Sequence, residues 1–326
     1  MPVLVTGTAG FIGFHTVRAL AARGERVIGV DNINDYYDPS LKRARLAELE
    51  KLDGFTFVEG DIADLDAMQA VAKAHPDITR IVNLAAQAGV RYSLENPFAY
   101  TRSNVEGHLV MLEMARHLKN CEHFVYASSS SVYGANTELP FSVDDRVDQP
   151  VSLYAATKRA GELMSHCYSR LYGIPATGLR FFTVYGPWGR PDMAAWIFTR
   201  KILAGEPIEV FNEGDMFRDF TFIDDIIQGV MAVLDHVPDA DVPERVYNLG
   251  NHQAEKLTDF IAVLEDALGK KADVILKPMQ PGDVKATFAD IEASRRDLGF
   301  EPVTSIREGI PQFVEWYRRY HGNQSG

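Results

Sequence analysis

Residues 3–20 read VLVTGTAGFIGFHTVRAL. A short β-branched run stops at glycines 7, 10 and 13, and an apolar helical pattern follows at once. A strand turning tightly into a helix needs one residue with a permissive φ. It needs a second with no side chain where a phosphate approaches, and a third small enough for helix and strand to touch. The helix N-terminus then directs its free N–H groups and the positive end of its dipole at the phosphates. The spacing predicts a dinucleotide-binding turn formed by Gly7, Gly10, Phe11, Ile12 and Gly13.

The next β-branched run, RVIGVD (26–31), ends on Asp31, eighteen residues after Gly13. A carboxylate there bonds both ribose hydroxyls and repels a 2′-phosphate, which favours NAD over NADP; Asn32 is grouped with it. Further runs follow at FTFVEGD (55–61), RIVNLAA (80–86), HFVYASSS (123–130) and ATGLRFF (176–182). Their continuous apolar character suits strands buried on both faces. Helical patterns separate them: FHTVRALAARG, LDAMQAVAKAH, NVEGHLVMLEMARHL and ATKRAGELMSHCYSRLYG. Alternating β and α predicts an α/β chain with a Rossmann-like, doubly wound parallel sheet. Asp61 and Ile62, after the third strand, either flank the adenine or cap the next turn.

After residue 183 proline and glycine become frequent, in YGPWGRPDM, AGEPIEVFNEGD and KPMQPGD. The texture predicts a nucleotide-binding domain over 1–182 and a smaller, less regular α/β substrate domain over 183–326. VYNLGN (246–251) reads as a strand returning to the first sheet, so the chain is expected to re-enter the first domain around 220–251 and the two domains to be interleaved.

The chain has 326 residues, 46% of them apolar, enough for a large core. Its net charge of −12 argues against a general nucleic-acid binder, which carries a basic surface. A local arginine cluster can still hold an anionic small molecule. No apolar run is long enough to span a membrane, and the N-terminus lacks the basic start and cleavage site of a signal peptide. Cys121 and Cys167 have no metal spacing and read as reduced core thiols of a cytoplasmic protein; no metal site is expected. His15 on the first helix reads as packed, and Asn104 as structural.

YAATK places Tyr154 and Lys158 four apart, on one helix face. A tyrosine that takes a proton near neutral pH must be brought down from about 10. A lysine one turn away, together with a positive nicotinamide ring, does this. A Tyr/Lys pair alone is a common helix-face pattern; the glycine turn upstream and the serine run YASSSSVYG (126–134) are what raise it to a catalytic reading.

In this order, GxxGFIG, NLAA (83–86), SSSSVYG, YAATK and RFFTVYGP resemble the extended short-chain dehydrogenase/reductase family over nearly the whole chain. Among its members the chain is most similar to the NAD-dependent nucleotide-sugar epimerases, and within them to the UDP-glucuronate 4-epimerases. The resemblance implies that Leu84, Ala85 and Ala86 line the cofactor. It also implies that Ser129, four residues before Tyr133, partners Tyr154 and relays the proton of the substrate's 4-hydroxyl. Hydride would leave C4, a 4-keto sugar would rotate, and the same hydride would return to its other face, so a tightly held NAD is recycled.

The two positions after Ser129 separate the relatives. Related dehydratases carry Asp-Glu there, and UDP-glucuronate decarboxylases a Glu at the second; this chain has Ser130 and Ser131. A glutamate beside a sugar carboxylate would cost about 1–4 kcal/mol at 4 Å, whereas hydroxyls donate to it. Thr183 stands where UDP-galactose 4-epimerases carry Asn. Ser130, Ser131 and Thr183 are therefore expected to hold a C6 carboxylate. The alternatives are a UDP-glucose/UDP-galactose 4-epimerase or a UDP-glucuronate decarboxylase. For the phosphates Arg190 and Arg218 are the candidates, and Asp283 resembles a ribose-binding aspartate. Gln87, Arg91 and Ser93 follow the fourth strand, where ligands bind in such sheets. The helices around 105–118 and 155–172 resemble those of the family's homodimer.

Overall fold

The structure is a computed structural model that describes residues 2–279 and 284–322. Seven parallel strands form the central sheet: β1 (Val3–Thr6), β2 (Val27–Asp31), β3 (Phe55–Glu59), β4 (Arg80–Asn83), β5 (His123–Ser129), β6 (Ala176–Phe181) and β7 (Glu244–Leu249). Their order is β7-β6-β5-β4-β1-β2-β3. Chain direction across the sheet reverses between β1 and β4, and the crevice at the carboxyl ends of those two strands is where such sheets bind ligands.

The inner strands are apolar because both faces are covered; β3, at the sheet edge, corrects the reading of its run as buried on both faces, with Phe55, Phe57 and Val58 half-buried and Thr56 and Glu59 exposed. Val3 and Val5 of β1 enter one core with Phe14, Val17 and Leu20 of helix α1 (Phe11–Ala22), while Leu4 enters a second core with Met68 and Met111. Helix α2 (Pro39–Leu49) supplies Leu41 and Leu46 to the first core. Helices α3 (Leu65–Ala74), α4 (Gly107–His117) and α5 (Leu153–Tyr172) cover the second face, and α6 (Ile223–Asp235) packs on α1 over the first. Strand β7 lies beside β6, so the returning strand read at 246–251 occupies 244–249 at the edge of the main sheet.

The predicted strand at 80–86 stops at Asn83. Residues 84–88 instead leave the sheet and pass in front of the Gly7 turn, with the Ala85 N–H donating to Thr6 Oγ1 at 3.1 Å. Helix α1 begins at Phe11, earlier than periodicity suggested, because Gly10 is its N-cap. The pattern at 104–118 is split: Thr101–Glu106 winds as a π-helix before α4 begins. Helix α2 and the stretch before it were not read from the sequence. Cys121 is half-buried, but Cys167 is exposed on α5, which corrects its reading as a core thiol; the two are unpaired. His15 is packed edge-on to Phe11 and Phe14.

The irregular remainder builds small strand pairs: Thr183–Tyr185 with Phe220–Phe222, and Ile208–Phe211 with Val274–Lys277. Phe217–Arg218 lies between Glu255–Lys256 and Ala286–Thr287. No helix among the described residues is long and apolar enough to cross a membrane.

Candidate active site

Gly7 has φ +71°, and a Cβ there would lie 2.8 Å from the Ala85 nitrogen. A Cβ on Gly13 would collide with the Gly7 carbonyl oxygen. No side chain caps α1 at Gly10, so its first N–H groups and dipole end face the crevice uncapped. Phe11 is buried beneath this turn and Ile12 is half-buried. Asp31 is buried at the end of β2. Its carboxylate accepts from the Ala9 N–H at 3.0 Å and from the Ile33 N–H at 2.9 Å, so it braces the glycine turn as well as ending the strand. Burial raises its pKa, against the pull of Lys42. Asn32 is exposed and accepts from the Asn34 N–H. This cradle, which a Cβ would fill, opens beside an uncapped helix end and a buried carboxylate, and it fits a dinucleotide.

The two readings of Asp61 and Ile62 meet a definite geometry. Asp61 caps its own turn by accepting from the Ala63 N–H at 2.9 Å, and it pairs with Arg102 at 3.2 Å. Ile62 is buried under Gly107. Leu84, Ala85 and Ala86 line the crevice opposite Gly7.

Helix α5 starts at Ser152, whose hydroxyl accepts from the Ala155 N–H. Tyr154 in its first turn is half-buried, and its ring meets Tyr100 edge-on at 6.0 Å. Burial pushes the Tyr154 phenol up, while a hydrogen bond with Ser129 and the charge of Arg190 pull it down. Lys158 is buried one turn on. Its Nζ donates to the Ala127 carbonyl at 2.9 Å and lies 5.9 Å from the centre of the Tyr154 ring. Burial, then Arg190, lowers its pKa to about 8. Ser129 ends β5, accepts from the Ser131 N–H and donates to Ser131 Oγ, both at 3.2 Å. Ser130 and Ser131 begin the single helical turn Ser130–Tyr133.

The remaining substrate candidates divide by location. Thr183 and Arg190 line one pocket together with Tyr185, Met193 and Phe220. The Arg190 guanidinium is paired with Asp192 (Nε to Oδ1 3.0 Å, Nη2 to Oδ2 2.5 Å), and Asp192 also accepts from the Tyr36 hydroxyl at 3.0 Å. Gln87 is buried behind the crevice, held by Asn104: its N–H donates to Asn104 Oδ1 at 2.8 Å, and Asn104 Nδ2 donates to the Gln87 carbonyl and to Thr157. Arg91 lies over the Phe211 ring at 5.1 Å. Ser93 donates to the Val90 carbonyl at 2.5 Å, closing its own turn. Arg218 Nη1 donates to the Phe217 and Lys285 carbonyls. Asp283 lies outside the described residues.

Sequence reading missed three supports. The first is Ser128, which donates at 2.6 Å to Glu162; Glu162 in turn receives a bidentate pair from Arg180 at 2.9 and 3.0 Å. An arginine inside the apolar strand ATGLRFF was the available signal, because a buried charge requires a partner. The second is Asp219, fully buried, whose carboxylate accepts from the N–H groups of Asn251, His252 and Ala289 and from Thr221 Oγ1. Burial raises it to about 6, against those four donors. The third, Tyr36 with Asp192, has no local pattern.

A dinucleotide turn, a strand-end serine and a Tyr/Lys pair on one helix define an extended short-chain dehydrogenase/reductase. The sequence profile of the NAD dependent epimerase/dehydratase family matches residues 3–250, and the chain belongs to that family. Similar proteins include Protein CapI of Staphylococcus aureus, 48% identical over 98% of this chain and 99% of that one. UDP-glucuronate 4-epimerase 4 of Arabidopsis thaliana is 49% identical over 98% of this chain and 76% of that one. Among solved structures, the UDP-glucuronic acid 4-epimerase of Bacillus cereus, in complex with UDP-glucuronic acid and NAD, is 34% identical. Its TM-score is 0.91, covering 98% of this chain and 100% of that one.

Proposed function

We propose that this protein is an NAD-dependent UDP-glucuronate 4-epimerase, interconverting UDP-glucuronate and UDP-galacturonate. The observation that carries the substrate is the serine turn. Beside Ser129, where related dehydratases and decarboxylases use carboxylates, the chain presents the hydroxyls of Ser130 and Ser131 in one tight turn. Relatives about half identical to it over nearly its whole length, themselves named UDP-glucuronate 4-epimerases, support the same assignment.

When bound, NAD supplies the acceptor for hydride from C4 and its return to the other face of a 4-keto sugar. The chain's own groups handle the proton. Ser129 bonds the 4-hydroxyl and passes its proton to Tyr154. Arg190 brings cationic charge to the phenolate, against the burial that raises it, and Lys158, one turn along the helix, is the second cation assigned to lowering it. Gly7, Gly10, Gly13 and Asp31 hold the dinucleotide. Ser130, Ser131 and Thr183 hold the C6 carboxylate. A 4-keto glucuronate is a β-keto acid and loses CO2 when its C–CO2 bond stands perpendicular to the ketone, so this hold also protects the intermediate.

Residues 1–182 with 220–251 form the cofactor body, and the rest the sugar body; β7 in the main sheet and α6 on α1 support that division. Exposed Leu94, Phe98, Leu109, Leu163 and Leu171 on the helices of 92–117 and 153–172 support a homodimer through that face, which sedimentation equilibrium tests. Unpaired cysteines suit a cytoplasmic protein.

The test is incubation with UDP-glucuronate and no added NAD, followed by chromatography and mass analysis. An isomer of unchanged mass is expected. A product lighter by CO2 would refute the reading of the serines. Thr183→Ala with Ser130→Ala should raise CO2 release relative to isomer, and an unchanged ratio would sink the protective role.

A further inference from the structure

Between Asp31 and α2 the chain makes an excursion tied down at every step. Lys42 Nζ donates to the carbonyl and to the side-chain oxygen of Asn34 at 2.8 and 2.7 Å. Asn34 Oδ1 also accepts from the Tyr36 N–H at 3.3 Å. Tyr36 packs against the Tyr92 ring at 4.9 Å. Its hydroxyl lies 2.5 Å from where a Cβ on Gly89 would stand, and Gly89 has φ +98°, so only glycine admits it. Arg45, fully buried, joins the same excursion to both sides of the crevice: it donates to Tyr37 Oη and the Ala9 carbonyl, and to the Trp188 and Gly189 carbonyls just before Arg190.

We propose that Tyr36 and Asp192 are positioning residues: the Tyr36 hydroxyl fixes the Asp192 carboxylate, which fixes the Arg190 guanidinium beside Tyr154. The inference rests on the epimerase reading and deepens it. The stretch that follows the ribose-facing carboxylate thereby sets where the cation of the substrate end stands. Arg190 bears on both catalytic groups, lowering the proton affinity of Tyr154 and of Lys158, while Asp192 opposes it at Tyr154. A guanidinium pinned bidentately exerts that field from one place, and a free one from many.

The test compares the whole protein with Tyr36→Phe, which keeps the ring packing, and with Tyr92→Phe as the control in the same stack. Hydrogen exchange of the Arg190 Nε–H is read by NMR without substrate, its resonance identified by its loss in Arg190→Lys. Tyr36→Phe should accelerate that exchange at least fivefold and Tyr92→Phe less than twofold. With UDP-glucuronate, Tyr36→Phe should lower kcat at least threefold while KM changes less than twofold. Unchanged exchange in Tyr36→Phe overturns the proposal, as does a KM that rises with kcat intact. A merely structural hydroxyl would lower the thermal midpoint without loosening the guanidinium. A wild-type protein inert toward UDP-glucuronate would remove the sugar reading alone, and the relay would stand or fall by the exchange rates.

Discussion

Glu162→Gln should destabilise the protein far more than a surface change would. The carboxylate is 1% exposed and meets four donors: Arg180 Nε at 2.9 Å and Nη2 at 3.0 Å, Arg159 Nη1 at 2.7 Å, and Ser128 Oγ at 2.6 Å. The amide keeps one accepting oxygen and turns a donor toward the rest. Removing one partner of a buried ion pair costs about 3–5 kcal/mol because the other charge is stranded. The half-exposed Arg159 arm adds little, and the retained oxygen recovers about 1 kcal/mol. The expected loss is about 3 kcal/mol, roughly 150-fold in the folded-to-unfolded ratio.

Urea unfolding followed by circular dichroism, at fixed NAD and pH 7.5, reads it. With a slope of about 3 kcal/mol per M for a chain of this size, the midpoint should fall by about 1 M. Arg180→Met alone should cost a similar amount, and Glu162→Leu with Arg180→Met together should cost less than the sum. Burial raises the Glu162 carboxyl, but Arg180, Ser128 and Arg159 outweigh it and hold it below the usual carboxylate range. The folded state therefore binds that proton more weakly than the unfolded chain. The stabilisation is fully present above about pH 4.3 and fades as pH falls through the lower folded value, so the gap to Glu162→Gln should be flat from pH 6 to 8 and close in acid. Stability within about 1 kcal/mol of wild type, or single costs that simply add, would refute the argument.

Tyr154→Phe should abolish turnover and leave retained NAD unchanged, measured by acid release and enzymatic assay; residual epimerisation would remove Tyr154 as base. Gly7→Ala forces a Cβ into φ +71° and to within 2.8 Å of the Ala85 nitrogen. It should cost at least about 1 kcal/mol and yield protein purified without NAD, the same assay deciding. Asp219→Asn puts an amide donor against three backbone donors from two other segments and should cost about 2 kcal/mol in the same urea series. Its failure to do so would mean that the 219–222, 250–252 and 286–289 segments hold together without it.

What could be read from the sequence was what is local. The Gly7 turn, Asp31, and the pair Tyr154/Lys158 are patterns within a strand–turn–helix or a single helical turn, where covalent spacing dictates position. Five of the six early strands were legible because burial on both faces leaves apolar runs; β3, at the sheet edge with Thr56 and Glu59 exposed, was legible from its β-branched and aromatic residues instead. What stayed hidden is held by partners distant along the chain. Tyr36 meets Asp192 across 156 residues and Arg45 meets Gly189 across 144, and neither spacing carries a period. The end of β4 was misjudged for the same reason: Ala85 leaves the sheet to bond Thr6, 79 residues away.

The serine run joins the two kinds of information. Three consecutive residues at the end of β5 each face α5: the Ala127 carbonyl receives Lys158, Ser128 donates to Glu162, and Ser129 stands against Tyr154, whose pKa it pulls down. The partners are 154, 158 and 162, spaced four apart, so they form one stripe along the helix. The proposed base, the cation beside it and the buried anion that anchors Arg180 are thus set by a single strand-to-helix register. Continuing the YxxxK pattern by one more turn reaches Glu162, an acidic residue on a face that a buried strand must cover. A carboxylate there demands the arginine that β6 supplies. A slip of one residue at the end of β5 would misplace Ser129 against Tyr154 and strand the Glu162–Arg180 pair together. The geometry of the proposed catalytic pair therefore inherits the several kcal/mol that hold the ionic network in place.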